Sequence, residues 1–212
     1  MRLANFNIYN DSIALNYNDK YLDLHNNFDF RGFHYDTTSR QLELLWTRSL
    51  EEWANENILA FKLVFRDVSF LKIRERDSLL PATEDTCLSL IGFLPNDLRD
   101  DFDSFVEIKN ISDNDDLNVA FQSDQAFKIN CNYVDFVELN EEIIYVLITN
   151  EAVDVWRPMW ADKIEDGIYK IKSFANYDPT DEELQFKSGD IFVCEKQKKS
   201  EGQILVAISK KL

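Results

Sequence analysis

The residue types that most often carry enzyme chemistry are scarce in this chain. It holds two histidines, His25 and His34, and three cysteines, Cys87, Cys131 and Cys194. The histidines form neither an HxH nor an HExxH arrangement, and the cysteines are too far apart to complete a zinc site. Each cysteine lies among apolar neighbours, which favours a buried free thiol. The spacing therefore predicts neither a catalytic site nor a metal site.

Glycine-rich motifs are missing as well. The chain has five glycines and contains no G-x-S-x-G, P-loop or GxGxxG sequence. A glycine-rich cradle for nucleotide phosphates is therefore excluded. We predict a protein that is not an enzyme and needs no cofactor, although an enzyme with a dispersed carboxylate site stays as a third hypothesis.

Carboxylates are plentiful and gather in three predicted loops. The groups are Asp97, Asp100, Asp101 and Asp103; then Asp113, Asp115 and Asp116; then Asp178, Asp181, Glu182 and Glu183. An EF-hand loop requires acids at alternating positions, a glycine and a terminal glutamate. Neither the second nor the third group has that glycine, so solvated loops are favoured over calcium sites.

The net charge limits the class of partner. The chain has 23 Lys and Arg against 39 Asp and Glu, a formal charge of -16. Such a chain repels phosphate, which argues against nucleic-acid binding, and it attracts basic protein surfaces. We therefore nominate the first two acidic groups as partner-binding residues, because they lie in the more acidic part of the chain. The alternative is that the charge only keeps the surface soluble.

Two tryptophans suggest a second contact. Trp156 and Trp160 flank Arg157-Pro158-Met159, and Trp and Arg are frequent in binding hot spots. The alternative, which aromatic burial favours, packs Trp156 inside a barrel and places Trp160 over its end or at a domain interface.

Hydrophobic residues alternate with polar ones along much of the chain. Alternation of this kind is typical of an antiparallel sheet with one solvated face. It predicts strands at 41–46, 61–65, 70–74, 105–109, 117–121 and 127–131. We expect Trp46, Phe61, Phe65, Ile108 and Phe121 to be core residues. Short helical turns are predicted at 49–54 and 96–102.

The composition changes near residue 140. Five further strands are predicted at 143–149, 153–157, 168–172, 191–194 and 203–209, with turns at Glu165-Asp166-Gly167 and Lys187-Ser188-Gly189-Asp190. Five short strands suit a small closed barrel. The sequence therefore predicts a mainly β protein, with an antiparallel sheet domain at 1–140 and a small SH3-like barrel at 141–212.

The apolar runs are too short for a membrane span or a signal peptide, and this predicts the compartment. The longest runs, 143–148 and 204–208, fall far short of the roughly 20 residues that cross a bilayer. Polar Asn5 and Asn7 interrupt the region where a signal peptide needs an apolar run. We expect a cytoplasmic protein with no membrane contact, and the oligomeric state stays open.

Several segments carry a resemblance to known bacterial proteins. They are Phe30-Arg31-Gly32-Phe33-His34-Tyr35-Asp36, Leu42-Glu43-Leu44-Leu45-Trp46, Phe65-Arg66-Asp67-Val68, Arg76-Asp77 and Thr83-Glu84-Asp85-Thr86-Cys87-Leu88. They resemble uncharacterised bacterial proteins of β-rich type, some of which are similar to immunity proteins of polymorphic toxin and contact-dependent inhibition systems. The later segments Val155-Trp156-Arg157-Pro158 and Gly167-Ile168-Tyr169 resemble a small domain that recurs in other uncharacterised bacterial proteins.

The resemblance implies a protein that neutralises a cognate toxin domain, and the charge favours a basic, nuclease-type toxin whose active cleft is occluded. The alternative hypothesis, from a different class, is a small-ligand or carbohydrate-binding β module that uses aromatic side chains.

Overall fold

The structure is a computed structural model that describes residues 1–54, 57–102, 110–172, 183–199 and 202–211. Its architecture is mainly β, as predicted, with several sheets and a closed five-stranded barrel. The chain divides into two compact units. Unit 1 comprises Met1–Ser49 and Ala54–Leu139, and unit 2 comprises Leu50–Trp53 and Asn140–Leu212. The sequence-based division had assigned Leu50–Trp53 to the first domain.

Unit 1 contains twelve described strands and two 3-10 turns. The turns are Ala82–Asp85 and Asn96–Leu98. The strands are β1 (Arg2–Leu3), β2 (Phe6–Ile8), β3 (Ala14–Tyr17), β4 (Lys20–Asp23), β5 (Phe28–Asp36), β6 (Gln41–Arg48), β7 (Ala60–Arg66), β8 (Phe70–Arg74), β9 (Leu88–Leu94), β10 (Asp116–Phe121), β11 (Ala126–Asn130) and β12 (Tyr133–Leu139).

These strands form three sheets around a common core. A five-stranded sheet has the order β1-β12-β7-β6-β5, a four-stranded sheet the order β8-β11-β10-β9, and a three-stranded sheet the order β2-β3-β4. Neighbours are antiparallel, apart from the parallel pair β1 and β12. Side chains of all three sheets belong to one hydrophobic cluster.

Alternation places the predicted core residues as expected. Trp46, Phe61, Phe65 and Phe121 are buried, which confirms four of the five predicted positions. Ile108 lies outside the described residues, as does the predicted strand at 105–109. The three-stranded sheet was not predicted, because strands of three or four residues are too short to show a period.

A β-bulge in β5 changes which side chains face the core. The pairing with β6 shifts between Phe30 and Gly32, and Gly32 has a φ of 124°, where a side chain would be strained. One extra residue reverses the alternation. As a result Phe30 faces the core before the bulge, and Phe33 and Tyr35 face it afterwards.

Unit 2 is built on a closed barrel of five consecutive strands. They are β13 (Glu141–Ile148), β14 (Val155–Glu165), β15 (Ile168–Ile171), β16 (Ile191–Lys199) and β17 (Gly202–Lys210). Successive strands are antiparallel, so the first and fifth run in the same direction. Closure therefore requires a parallel pair, and Tyr145 on β13 faces Val206 on β17.

Two local predictions were wrong. The strand predicted to end before Pro158 continues to Glu165, because β15 pairs with β14 only from Ala161 onward, so that among the described residues one side of Pro158 has no strand partner. A missing N–H is tolerated on such an unpaired side. The turn predicted as helical at 49–54 forms no helix, whereas the one at 96–102 contains the 3-10 turn Asn96–Leu98.

Among the described residues, no helix has the length and apolar composition needed to span a bilayer.

The packing of the core predicts how much stability is lost when a buried aromatic side chain is truncated. Phe65 is fully buried, so replacement of Phe65 by Ala should lower the free energy of unfolding by about 3–5 kcal/mol. Replacement of Leu79, which is 89% exposed, by Ala should change it by less than about 0.5 kcal/mol. Urea denaturation of both variants measures this, and equal midpoints would contradict the placement of Phe65.

Candidate functional site

The long connection between β9 and β10 carries all but one residue of the first two acidic groups. Leu94 and Asp116 are paired directly at the ends of these strands, so the chain leaves and re-enters the sheet at one edge. We call residues 95–115 the acidic connection, of which 95–102 and 110–115 are described. Its outgoing half carries the first group and its returning half carries Asp113 and Asp115, whereas Asp116 is the first residue of β10. Asp103, which was nominated from the sequence, lies outside the described residues.

A buried lysine anchors the outgoing half of the acidic connection. Lys128 on β11 is fully buried, and its Nζ donates to the carbonyl oxygen of Leu98 at 2.8 Å and to that of Asp101. Loss of water lowers the pKa of Lys128, and the nearby charges of Asp116 and Asp101 oppose that shift. Two backbone carbonyls thus hold the ammonium, and the ammonium fixes their segment on the sheet.

An ion pair makes the second anchor. Nε of Arg99 donates to Oδ2 of Asp116 at 3.1 Å, and the guanidinium lies 4.0 Å from the centre of the Phe70 ring. Asp116 is fully buried and also accepts a hydrogen bond from Nδ2 of Asn130 at 2.9 Å. A buried carboxylate needs such partners, because its desolvation is otherwise uncompensated.

This burial corrects two nominated partner-binding residues. Asp116 has no exposed surface, and Asp115 is buried with Oδ2 accepting from the backbone N–H of Ser112 at 2.8 Å. Both carboxylates hold the local fold, so neither is available to a partner in this conformation.

The ring of Phe102, in the anchored segment, packs against cationic side chains of the four-stranded sheet. Phe102 is buried, and the cationic groups of Lys128, Arg74 and Lys72 lie 4.8, 5.0 and 5.9 Å from its ring centre. Such cations are attracted to the face of a ring. Nδ2 of Asn118 donates to the carbonyl of Phe102 at 3.4 Å. The polar face of the four-stranded sheet is therefore covered by this segment.

The other nominated acids lie at the surface. Asp97, Asp100 and Asp113 are exposed and Asp101 is half-buried. Lys72 pairs with Asp100 and lowers the pKa of its carboxyl. Within the described ranges, no ion pair joins Asp97 or Asp113 to a cation. The ammonium of Met1 donates to the carbonyl oxygen of Asp113.

A polar pocket lies beside the returning half. Its volume is about 670 Å³, and its lining includes Asp113 and Arg2 with the amides of Asn7, Asn130 and Asn132. Amide groups both donate and accept hydrogen bonds, so this pocket suits a polar side chain better than an apolar one.

The two nominated tryptophans share one face of the barrel. Ile144, Val146 and Met159 belong to the barrel core, whereas neither Trp156 nor Trp160 does. Alternation directs both tryptophans away from that core, where each is half-buried. The prediction that Trp156 packs inside the barrel is wrong.

The neighbours of the tryptophans are mostly apolar too. Trp156 faces Leu147, Pro158 faces Tyr145, and Trp160 faces Ile143 across β13 and β14. Lys199 places its Nζ 4.7 Å from the centre of the Trp156 ring. The strand rise separates the two tryptophans by about 13 Å on one surface.

One histidine and one cysteine approach each other, but not as a catalytic pair. Sγ of Cys87 lies 3.6 Å from Nδ1 of His25, and that nitrogen lies 2.6 Å from the carbonyl oxygen of Leu88. A carbonyl oxygen accepts, so Nδ1 carries the proton and does not take one from the thiol. Burial, with Glu84 and Asp29 nearby, raises the pKa of Cys87. A nucleophilic thiol needs the opposite shift.

Metal ligation has no support among the described residues, which contain no group of three or more His, Cys, Asp or Glu side chains able to hold an ion.

No protein-family model, curated protein or solved structure matches this chain.

The second anchor predicts a stability difference between two Arg–Asp pairs. Replacement of Arg99 by Gln leaves the buried Asp116 carboxylate short of a partner and should cost about 2 kcal/mol. Arg40 pairs with Asp67 at the surface, so replacement of Arg40 by Gln should cost less than about 1 kcal/mol. Chemical denaturation compares the two variants, and a cost for Arg99 no larger than that for Arg40 would contradict the anchor.

The thiols predict slow alkylation of the native protein. Burial raises the pKa of both Cys131 and Cys194 to about 12. At pH 8 their reaction with iodoacetamide should be roughly a thousandfold slower than in the unfolded chain, because the thiolate is the reactive form. Half-buried Cys87 should react first. Peptide mass spectrometry reads the order, and rapid native labelling of Cys194 would contradict it.

Proposed function

We propose that this chain is a non-catalytic binding protein that acts in the cytoplasm as an immunity protein. It binds a cognate toxin domain of basic, nuclease type and covers its active cleft. The observation that carries the proposal is the surface location of the acid surplus. Acids outnumber bases by 39 to 23, and among the described residues the buried acids are Asp115, Asp116 and Glu142. The surplus is therefore presented to solvent.

Charge of this sign suits a partner that handles nucleic acid. A nuclease cleft carries Lys and Arg because it must hold phosphate, and surface carboxylates of another protein can bind the same Lys and Arg side chains. Opposite potentials raise the association rate and disfavour partners of the wrong sign. The resemblance to immunity proteins supports the same function.

The acidic connection is the preferred contact surface on unit 1. Lys128 and Arg99 fix its backbone on the sheet, so Asp97 and Asp100 are held before a partner arrives. Prior ordering reduces the entropy that binding must overcome. Asp113 lines the polar pocket, where a basic side chain of the partner meets a carboxylate and several amides.

A second candidate function follows from the barrel face. Trp156, Tyr145 and Trp160 lie on one surface, and flat aromatic rings at the surface suit small ligands such as carbohydrates. Titration with soluble oligosaccharides should then quench tryptophan fluorescence, and replacement of Trp156 by Ala should reduce that response. An unchanged response in this variant would remove the candidate.

Co-expression tests the immunity function directly. The partner to use is the C-terminal domain of a large secreted protein encoded immediately upstream. Growth should be arrested by that domain alone and restored when this chain is present, and the two should co-purify. Growth arrest in the presence of the folded chain, without a complex, would overturn the proposal.

The contact surface predicts which acids govern association. Replacement of Asp97 and Asp113 by Lys should slow association with the toxin domain by about tenfold at low salt, because the local attraction is reversed. The matched control replaces the exposed Glu151 and Asp154 of unit 2 by Lys, which changes the net charge equally. This control pair should slow association by only about twofold. Stopped-flow measurement at several ionic strengths compares the pairs, and equal slowing would assign the effect to total charge.

A further inference from the structure

The described strands of unit 1 leave one side of its core open between two strand edges. Among the described strands, β5 pairs with β6 alone and β8 pairs with β11 alone, so each ends its sheet. An edge strand offers unpaired backbone N–H and C=O groups along its length. The N–H of Phe30 is already used by the carbonyl of Thr86. The later part of β5, from Gly32 to Asp36, is the available edge.

Apolar side chains form the floor of this opening. The Phe33 ring lies 5.0 Å from the ring of the fully buried Phe127, and Ile73 on β8 is paired directly with Phe127. Both side chains therefore face the core side, yet Phe33 is 46% exposed and Ile73 is 40% exposed. Tyr35 and Leu71 pack against the core on either side. We call the space between β5 and β8 the edge cleft.

The bulge in β5 directs Phe33 into the edge cleft. Without the extra residue, Gly32 and His34 would face the core and Phe33 would face the opposite side. Bulges commonly re-aim a side chain at a functional position. Here the bulge exposes a phenylalanine beside an unpaired edge, which is a costly arrangement for an isolated protein.

The arginines of the two edge strands are already paired, whereas within the described residues one carboxylate near each end is not. Arg31 pairs with Asp29, and Arg74 pairs with Asp124. Within the described ranges, no ion pair joins Asp36 or Glu75 to a cation. Each end of the edge cleft therefore keeps one carboxylate without a cationic partner.

These carboxylates lie near opposite ends of β8. The N–H of Val68 donates to the carbonyl of Arg40, which puts the turn after Asp36 beside the start of β8. Glu75 directly follows Arg74, the last residue of β8, and so lies at the far end of that strand. A segment that lies along the cleft meets negative charge at both of its ends.

We propose that the edge cleft accepts one extended segment of a partner protein, with apolar side chains at alternate positions and Lys or Arg at both ends. The segment pairs with the free edge of β5 through backbone hydrogen bonds and covers Phe33 and Ile73. Its terminal cations meet Asp36 and Glu75. Strand addition of this kind takes affinity from main-chain bonds and specificity from alternate side chains. The proposal goes beyond the immunity function and does not depend on it.

Selection from a displayed library of random ten-residue peptides tests the proposal with the full chain. Enriched peptides should alternate apolar and polar residues and carry Lys or Arg near both ends. Methylation of the backbone nitrogens of a selected peptide should abolish binding when it is made at one set of alternate positions and should spare binding at the other set. The reason is that only one edge of the bound strand makes hydrogen bonds to β5. Enrichment of helical or uniformly polar peptides, or none at all, would overturn the proposal.

Matched variants locate the binding on the chain. Replacement of Ile73 by Thr should lower the affinity for a selected peptide by about tenfold. The matched control replaces Ile164, which is 53% exposed on β14, by Thr and should leave that affinity unchanged. Replacement of Glu75 by Gln should weaken it by about threefold and flatten its salt dependence. Equal effects of the two isoleucine variants would overturn the proposal.

Light scattering and circular dichroism complete the test. Circular dichroism shows that each variant keeps the fold. A dimer that the Ile73 substitution dissociates would assign the cleft to a second copy of the chain and would also overturn the proposal.

Discussion

Contact between aromatic rings, both within the five-stranded sheet and across to the four-stranded sheet, is the interaction on which unit 1 depends. Phe61 stacks on Trp46 at 5.3 Å and on Phe136 at 4.5 Å, while Phe30 of the five-stranded sheet lies 4.5 Å from Phe121 of the four-stranded sheet. These rings take the inner positions of their strands. In the four-stranded sheet Lys72, Asn118 and Lys128 lie on the opposite face. The acidic connection covers this face because the buried Lys128 binds two of its carbonyls and because its Arg99 pairs with the buried Asp116 of β10.

The two units differ in whether their sheets have free edge strands. In unit 2, five strands close on themselves through the parallel pair of β13 and β17, so each strand has two neighbours over part of its length. In unit 1, the five-stranded sheet ends at β5 and the four-stranded sheet at β8. A closed barrel removes edges, whereas sheets packed on a shared core keep them. The apolar opening of unit 1 is therefore a consequence of its topology.

Strands with a long, regular alternation could be predicted from the sequence, and features that depend on distant partners could not. The period of two identified β6, β7, β8, β10 and β11, and the spacing of turns identified the barrel. One added residue at Gly32 changes the facing of β5 without any signal in composition. Asp116 belongs to a run of acids, and its burial depends on Arg99, which is 17 residues away, and on Asn130 of another strand. Acid density in sequence measures composition, while burial depends on pairs that form only in the fold.

The same distinction governs the electrostatics of the surface. A formal charge of -16 describes the whole chain, but salt screens exposed charges beyond about 8–10 Å. An approaching partner therefore responds to the nearest carboxylates and to the cations beside them. Lys72 pairs with Asp100 of the acidic connection and Arg99 of the connection pairs with Asp116 of β10, whereas within the described ranges no ion pair joins Asp97 or Asp113 to a cation. The ammonium of Met1 donates to the carbonyl oxygen of Asp113, so that residue also has a cation beside it. The local charge that a partner meets therefore depends on which carboxylates lie beside a cation, and the fold rather than the composition decides that.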